Sequence, residues 1–283
     1  MRLLKLDIPE KKIKREFEII QQGKPNGYDT LYSWNECILH FQWEEFYKQE
    51  LKLWYENKPR HGVPLQSWIY LNRKKYIDKD ALSLTDRDIL RAFKITGIHI
   101  GNSMHSPFYI QQFIKDYNIK SIYDPCGGWG HRLLGAKAMG IDYIYNDINT
   151  TTVNNCKRMA EYFNLDVTFY NQDAALPILE DYDAVFTCPP YYNVEIYSED
   201  GAENLSYSQF LSWWSSIISH FKGKYFAFVI NHTYKQDMLG ICLAHGLTLI
   251  DDIKLGKQSY SHLNADSRTA GIKGEFLVIL SNL

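Results

Sequence analysis

Residues 187–193 read Thr-Cys-Pro-Pro-Tyr-Tyr-Asn and follow the apolar run Asp183-Ala184-Val185-Phe186 without a spacer. Neither proline suits a sheet interior, because each lacks a ladder donor. The pair therefore ends a strand and stiffens an outward loop with carbonyl oxygens beside an aromatic ring. Such a loop can grip a flat molecule bearing an amino group, and open α/β sheets keep their chemistry at this carboxyl end of their strands. A second motif, Asp124-Pro-Cys-Gly-Gly-Trp-Gly130, sits after an earlier strand and opens a helix at Arg132-Leu-Leu. Its glycines let the backbone pass close to a ligand, and the strand-end aspartate can accept hydrogen bonds from a cationic group. Asp147 follows about 20 residues on, the spacing at which such folds set a carboxylate on ribose hydroxyls. Asp173, after the next strand, could accept from an adenine amino group. Singly, each acid is an ordinary helix cap; the three together with the glycine loop carry the reading.

These residues need a scaffold, and the sequence supplies one from Lys120 onward. Short β-branched runs at 121–124, 142–147, 167–170, 184–187, 225–230 and 276–280 read as strands, with a further candidate at 247–253. Helical stretches lie near 130–140, 150–163, 207–221 and 234–245. Alternation of this kind implies right-handed crossovers and a parallel sheet covered on both faces. The last two strands have no helix between them, only the polar loop Gly256 to Gly274, and are expected to pair as an antiparallel hairpin at one edge. Upstream, residues 34–57 read as a long amphipathic helix broken by Pro59-Arg-His-Gly-Val-Pro64. Thr85 with Asp88 resembles a capping box, and Ser106-Pro107 supplies an N-cap and first-turn proline for a helix to about Tyr117. The expected division is a mainly helical accessory domain over 1–98 and an α/β domain over 99–283.

On these motifs the chain resembles the S-adenosylmethionine-dependent amino-methyltransferases, in particular the DNA methyltransferases that modify adenine N6 or cytosine N4. Asp124-Pro-Cys-Gly-Gly-Trp-Gly130 is similar to the family's D-P-F-x-G-x-G cofactor loop, and Thr187-Cys-Pro-Pro-Tyr-Tyr192 to its D/N/S-P-P-Y/F/W catalytic loop. The resemblance covers roughly residues 100–281. It implies a Rossmann-like class I methyltransferase fold with a seven-stranded mixed sheet. It also implies an S-adenosylmethionine site made by Ser106, Asp124, Cys126, Gly127, Gly128, Gly130, Asp147, Ile148 and Asp173. The implied catalytic residues are Cys188, Pro189, Pro190 and Tyr191, acting on a DNA base taken out of its helix. RNA, or a glutamine amide in a protein, is an alternative acceptor for the same loop; a cofactor-competent but inactive nucleic-acid-binding module is the alternative outside enzymes.

The chemistry accounts for these residue types. An exocyclic amine is a poor nucleophile because its lone pair is delocalised into the ring. The catalyst must position it and offer acceptors that favour a pyramidal nitrogen. The Pro189 carbonyl and residue 188 would accept, while Tyr191 stacks on the base. Position 188 departs from the family pattern: a cysteine stands where Asp, Asn or Ser is usual, and a thiol is only a weak acceptor.

Composition bounds the rest. The 283 residues are 45% hydrophobic with a net charge of −2, enough for a full α/β core. Residues 1–80 carry 15 Lys and Arg against 12 Asp and Glu, a mild basic bias compatible with a polyanionic partner such as DNA. Lys11-Lys-Ile-Lys-Arg15 could track phosphates or form a solvated helix face. The aromatics of residues 28–76 read mostly as the core of a small helical domain. Five cysteines without a Cys-x-x-Cys pair indicate no zinc site and no disulfide framework, so a reducing, cytoplasmic setting and no metal are expected. No run approaches the length of a membrane helix, so no membrane partner is expected.

Overall fold

The computed structural model describes residues 8–23, 37–38, 40–42, 106–192, 205–255 and 274–282. Most of the expected helix over 34–57, the break at Pro59–Pro64, the capping box at Thr85, the segment after Tyr192 and the loop 256–273 lie outside the described residues. In chain order the described elements are α1 (Glu10–Gln22), α2 (Pro107–Tyr117), β1 (Ser121–Asp124), α3 (His131–Lys137), β2 (Asp142–Asn146), α4 (Thr150–Tyr162), β3 (Thr168–Tyr170), β4 (Ala184–Thr187), α5 (Tyr207–Ser219), β5 (Tyr225–Asn231), α6 (His232–Ala244), β6 (Thr248–Lys254) and β7 (Glu275–Ser281).

The strands form one seven-stranded sheet in the order β3-β2-β1-β4-β5-β7-β6. β1 pairs in parallel with β2 and β4, and β4 in parallel with β5, whereas β7 runs antiparallel to both β5 and β6. This is a seven-stranded mixed sheet of Rossmann-like α/β type, as the resemblance implies. The two late strands pair antiparallel at one edge of the sheet, as expected, with β7 next to β5 and β6 outermost. The residue types explain the order. Phe276-Leu-Val-Ile-Leu280 is apolar on both faces, as an interior strand requires, whereas β6 carries Asp251 and Asp252 and is exposed along most of its length.

Strand alternation divides the core in two. Ile122, Tyr143, Tyr145, Phe186, Val229 and Ile279 face one side, beneath α1 to α4, while Tyr123, Val185, Phe226, Phe228 and Val278 face the other, beneath α5 and α6. Side-chain caps start the helices at the carboxyl end of the sheet. Asn149 accepts from Thr152 N at the head of α4, Ser206 and Gln209 form a capping box on α5, and Asn231 caps α6. The described part of residues 1–98 joins the first of these cores. Ile13, Phe17 and Ile20 of α1 are buried in it, and the Phe17 ring lies 4.3 Å from that of Phe163. The buried Gln42 accepts from Asn155 Nδ2 at 3.0 Å and donates to Cys156 Sγ at 3.3 Å, both on α4.

Candidate functional site

The glycine loop leaves β1 at Asp124, whose side chain is 0% exposed. Arg132, in the first turn of α3, is the cation that meets it: Arg132 Nε donates to Asp124 Oδ2 at 2.6 Å, and the Tyr143 hydroxyl donates to the same oxygen at 2.7 Å. Burial opposes the charge of the Arg132 guanidinium, but the Asp124 carboxylate together with the Cys188 and Tyr143 side chains outweighs it and raises its pKa. Arg132 also donates to the Cys126 carbonyl. Asp124 thus closes the base of the loop around α3.

Above this base, each glycine has a different reason to be glycine. A Cβ on Gly127 would stand 2.2 Å from the Tyr145 ring, and one on Gly130 2.4 Å from Met159. Gly128 has φ +57° with nothing within 4 Å of such a Cβ, so there the loop turns its backbone toward open space. Asp147, just past β2, receives Gly128 N at 2.8 Å on one oxygen and Asn149 N at 2.9 Å on the other. Burial raises its carboxyl to about 6 in spite of these two donors. Ile148 beside it is 41% exposed and offers an apolar wall. Asp173, after β3, is exposed; its Oδ1 accepts from Ala175 N at 2.9 Å and from the Trp213 indole at 2.8 Å. Ser106 lies buried at the head of α2, where its hydroxyl accepts from Phe108 N at 3.2 Å.

At the end of β4 the backbone turns out as the residue types require. Thr187 is buried, Cys188 half-buried, Pro189 buried and Pro190 half-buried. The two loops meet directly: Cys126 N donates to Thr187 Oγ1 at 3.2 Å. Tyr191 is 2% exposed, and its hydroxyl donates to Glu275 Oε1 at 2.9 Å. Its ring is packed into the second core rather than presented at the surface. Tyr192 is half-buried among the rings of Tyr207, Phe210 and Tyr234, at centroid distances of 5.1, 5.7 and 6.0 Å. Burial pushes the Cys126 thiol well above its ordinary pKa, which keeps it neutral.

The structure thus brings Asp124, Cys126, Gly127, Gly128, Gly130, Asp147 and Ile148 to one mouth at the carboxyl ends of β1 and β2. Cys188, Pro189, Pro190 and Tyr191 follow directly on the adjacent β4. Several solved methyltransferases are similar to this chain. A methyltransferase from Clostridium acetobutylicum ATCC 824 is 12% identical, with 69% of this chain and 98% of that chain covered and a TM-score of 0.47. Magnesium protoporphyrin IX methyltransferase from Synechocystis PCC 6803, solved with bound SAM, is 12% identical over 78% of this chain and 99% of that chain, with a TM-score of 0.44. A putative RNA methyltransferase from Pyrococcus horikoshii is 12% identical over 62% and 82%, with a TM-score of 0.43. No family model and no curated protein matches the sequence. Likeness at this level concerns the fold and says nothing of the substrate.

Four residues given no role in the motif reading complete the mouth. Asn146 ties three strand ends together, donating to Pro125 O and Gln172 O at 3.0 Å each and accepting from Gln172 N at 3.1 Å. Thr187 joins the loops, Trp213 reaches Asp173, and Glu275 reaches Tyr191. Asn146 and Thr187 were open to notice as polar ends of apolar strands. Nothing local marks Trp213 or Glu275, which meet their partners 40 and 84 residues away in sequence. Among the described residues no group of His, Cys, Asp and Glu could hold a metal ion, and no helix is long and apolar enough to cross a membrane.

Proposed function

We propose that the chain is an S-adenosylmethionine-dependent methyltransferase whose acceptor is a planar amino group, with the exocyclic amine of a DNA base as the preferred substrate. The observation that carries this reading is the hydrogen bond from Cys126 N to Thr187 Oγ1, which joins a glycine loop suited to a cofactor to a Cys-Pro-Pro-Tyr loop suited to an amine. The donor set fits the cofactor. Gly128 leaves room for a ligand against the backbone, Asp147 offers a carboxylate to ribose hydroxyls, Ile148 an apolar wall and Asp173 an acceptor for an adenine amino group. Cys126, Gly127 and Gly130 shape the loop, while Asp124 and Ser106 act from beneath it. Bound there, S-adenosylmethionine supplies an activated sulfonium methyl group.

The chain's own residues then have the task of holding the acceptor. The Pro189 carbonyl accepts from the amine and favours its pyramidal form, and the Pro-Pro pair restricts the loop before substrate arrives. Cys188 adds a weak acceptor, and the Tyr191 ring forms the wall behind it. The test is transfer of tritium from methyl-labelled S-adenosylmethionine to purified cellular DNA, RNA and protein, offered separately. Label in DNA, recovered as N6-methyladenine or N4-methylcytosine by nucleoside mass spectrometry, is expected. Label in RNA or protein alone would replace the acceptor, and DNA binding without label in any fraction would refute the enzyme reading.

A further inference from the structure

The Cys-Pro-Pro-Tyr loop is gripped from outside by a residue of another strand. Glu275 opens β7, and the antiparallel register with β5 sets it opposite Asn231 at the carboxyl end of β5, next to the strand that ends in the loop. There its Oε1 accepts from the Tyr191 hydroxyl at 2.9 Å, and the Cys188 thiol lies 3.9 Å from that hydroxyl and 4.0 Å from the Pro189 carbonyl. Donation runs one way, from thiol to phenol to carboxylate. The thiol contacts are long and weak, whereas a phenol donating to a carboxylate is a charge-assisted bond of roughly twice the neutral strength. Of these contacts, the one to Glu275 is the strongest.

We propose that Glu275 is the positioning residue of the methyl-acceptor loop. Through the Tyr191 hydroxyl its carboxylate fixes the backbone of Cys188, Pro189, Pro190 and Tyr191 in the conformation that presents the Pro189 carbonyl to the acceptor amine. This rests on the reading of that loop as an amine clamp. With only a weak acceptor at position 188, this chain places the anchoring carboxylate on β7. Glu275 need not touch the substrate, because an acceptor displaced by about 1 Å already costs on the order of 100-fold in rate.

The experiment uses the full-length protein, tritiated S-adenosylmethionine and whichever of purified cellular DNA, RNA or protein the wild type labels, with calorimetry of S-adenosylhomocysteine binding alongside. Glu275→Ala and Tyr191→Phe are each expected to lower kcat by roughly 10- to 100-fold. Affinity for S-adenosylhomocysteine stays within about threefold, and the double variant is no slower than the slower single one. Glu275→Gln, whose amide oxygen still accepts from the phenol, restores kcat to within roughly fivefold of wild type. A Glu275→Ala protein with wild-type kcat, effects that multiply in the double variant, a Glu275→Gln as slow as the alanine, or a matching loss of S-adenosylhomocysteine affinity each overturns the positioning role. A wild type that labels none of the three fractions sinks the amine-clamp reading itself, a result distinct from these because no variant is needed to see it.

Discussion

Asp124→Asn should destabilise the fold rather than weaken ligand binding. Asparagine keeps the shape of the side chain and removes its charge, leaving the Arg132 guanidinium, 7% exposed on its side chain against 0% for Asp124, without a counter-ion. The lost contacts are the 2.6 Å ion pair and the charge on the oxygen to which Tyr143 donates at 2.7 Å. Breaking one side of a buried pair costs about 3–5 kcal/mol, a large part of the ~5–15 kcal/mol that holds a typical protein folded. With a urea slope of about 2–3 kcal/mol per molar, the unfolding midpoint falls by roughly 1–2.5 M. The assay is urea unfolding followed by tryptophan fluorescence, paired with S-adenosylhomocysteine calorimetry in buffer. Adding Arg132→Met to the asparagine variant should recover much of the midpoint, since it removes the buried charge left unpaired while the asparagine oxygen still accepts from Tyr143. An unchanged midpoint in Asp124→Asn together with a tenfold or greater loss of S-adenosylhomocysteine affinity would refute the argument, and would mean that the carboxylate serves a ligand rather than Arg132.

Neighbouring glycines should separate fold from binding. Gly127→Ala drives a methyl group into the Tyr145 ring and should cost about 1–3 kcal/mol in urea unfolding. Gly128→Ala meets nothing, so it should cost only the ~1–2 kcal/mol of its left-handed backbone while weakening S-adenosylhomocysteine binding in calorimetry. The Asp147 carboxyl, raised by burial from 3.8 to about 6, binds its proton more tightly in the folded state. Its contribution to stability is therefore full below the unfolded pKa and is lost as the pH rises through about 6. Thermal melts of Asp147→Asn across that window should show a flatter decline than wild type; an unaltered slope would contradict the burial argument. Trp213→Phe removes the indole donor on Asp173 and should lower the preference for S-adenosylhomocysteine over its inosine analogue, measured by competition binding, with stability changed by about 1 kcal/mol or less.

The sequence carried the sheet well because its signals are local. Alternating apolar runs mark every strand within a residue or two, and Ser106-Pro107 marks the start of α2 as well as any contact could. The edge hairpin of the last two strands was legible too, and the contrast between Phe276-Leu-Val-Ile-Leu280 and the acid-bearing run Thr248–Lys254 says which of the two lies outermost. Other features were not legible because they depend on packing between distant segments. The strand-end aspartate at 124 reads as a ligand-facing acid until the fold rotates Arg132 onto it. The tyrosine at 191 reads as a stacking surface until β7 brings Glu275 to its hydroxyl. A motif states which residue types meet at a strand end; the way each side chain points is decided by neighbours the motif does not contain.

The place of β7 has a consequence for how the molecule is made. A ribosome delivers β6 before β7, yet β6 pairs only with β7 in the finished sheet, so the outer strand has no partner when it first appears. Its two aspartates keep that waiting edge from adhering to other chains. When β7 arrives it must enter antiparallel between β5 and β6, and the same movement delivers Glu275 to Tyr191. Closure of the sheet and assembly of the acceptor loop are then a single late event in synthesis, and a nascent chain stalled before residue 275 would carry the glycine loop without the anchor of its partner.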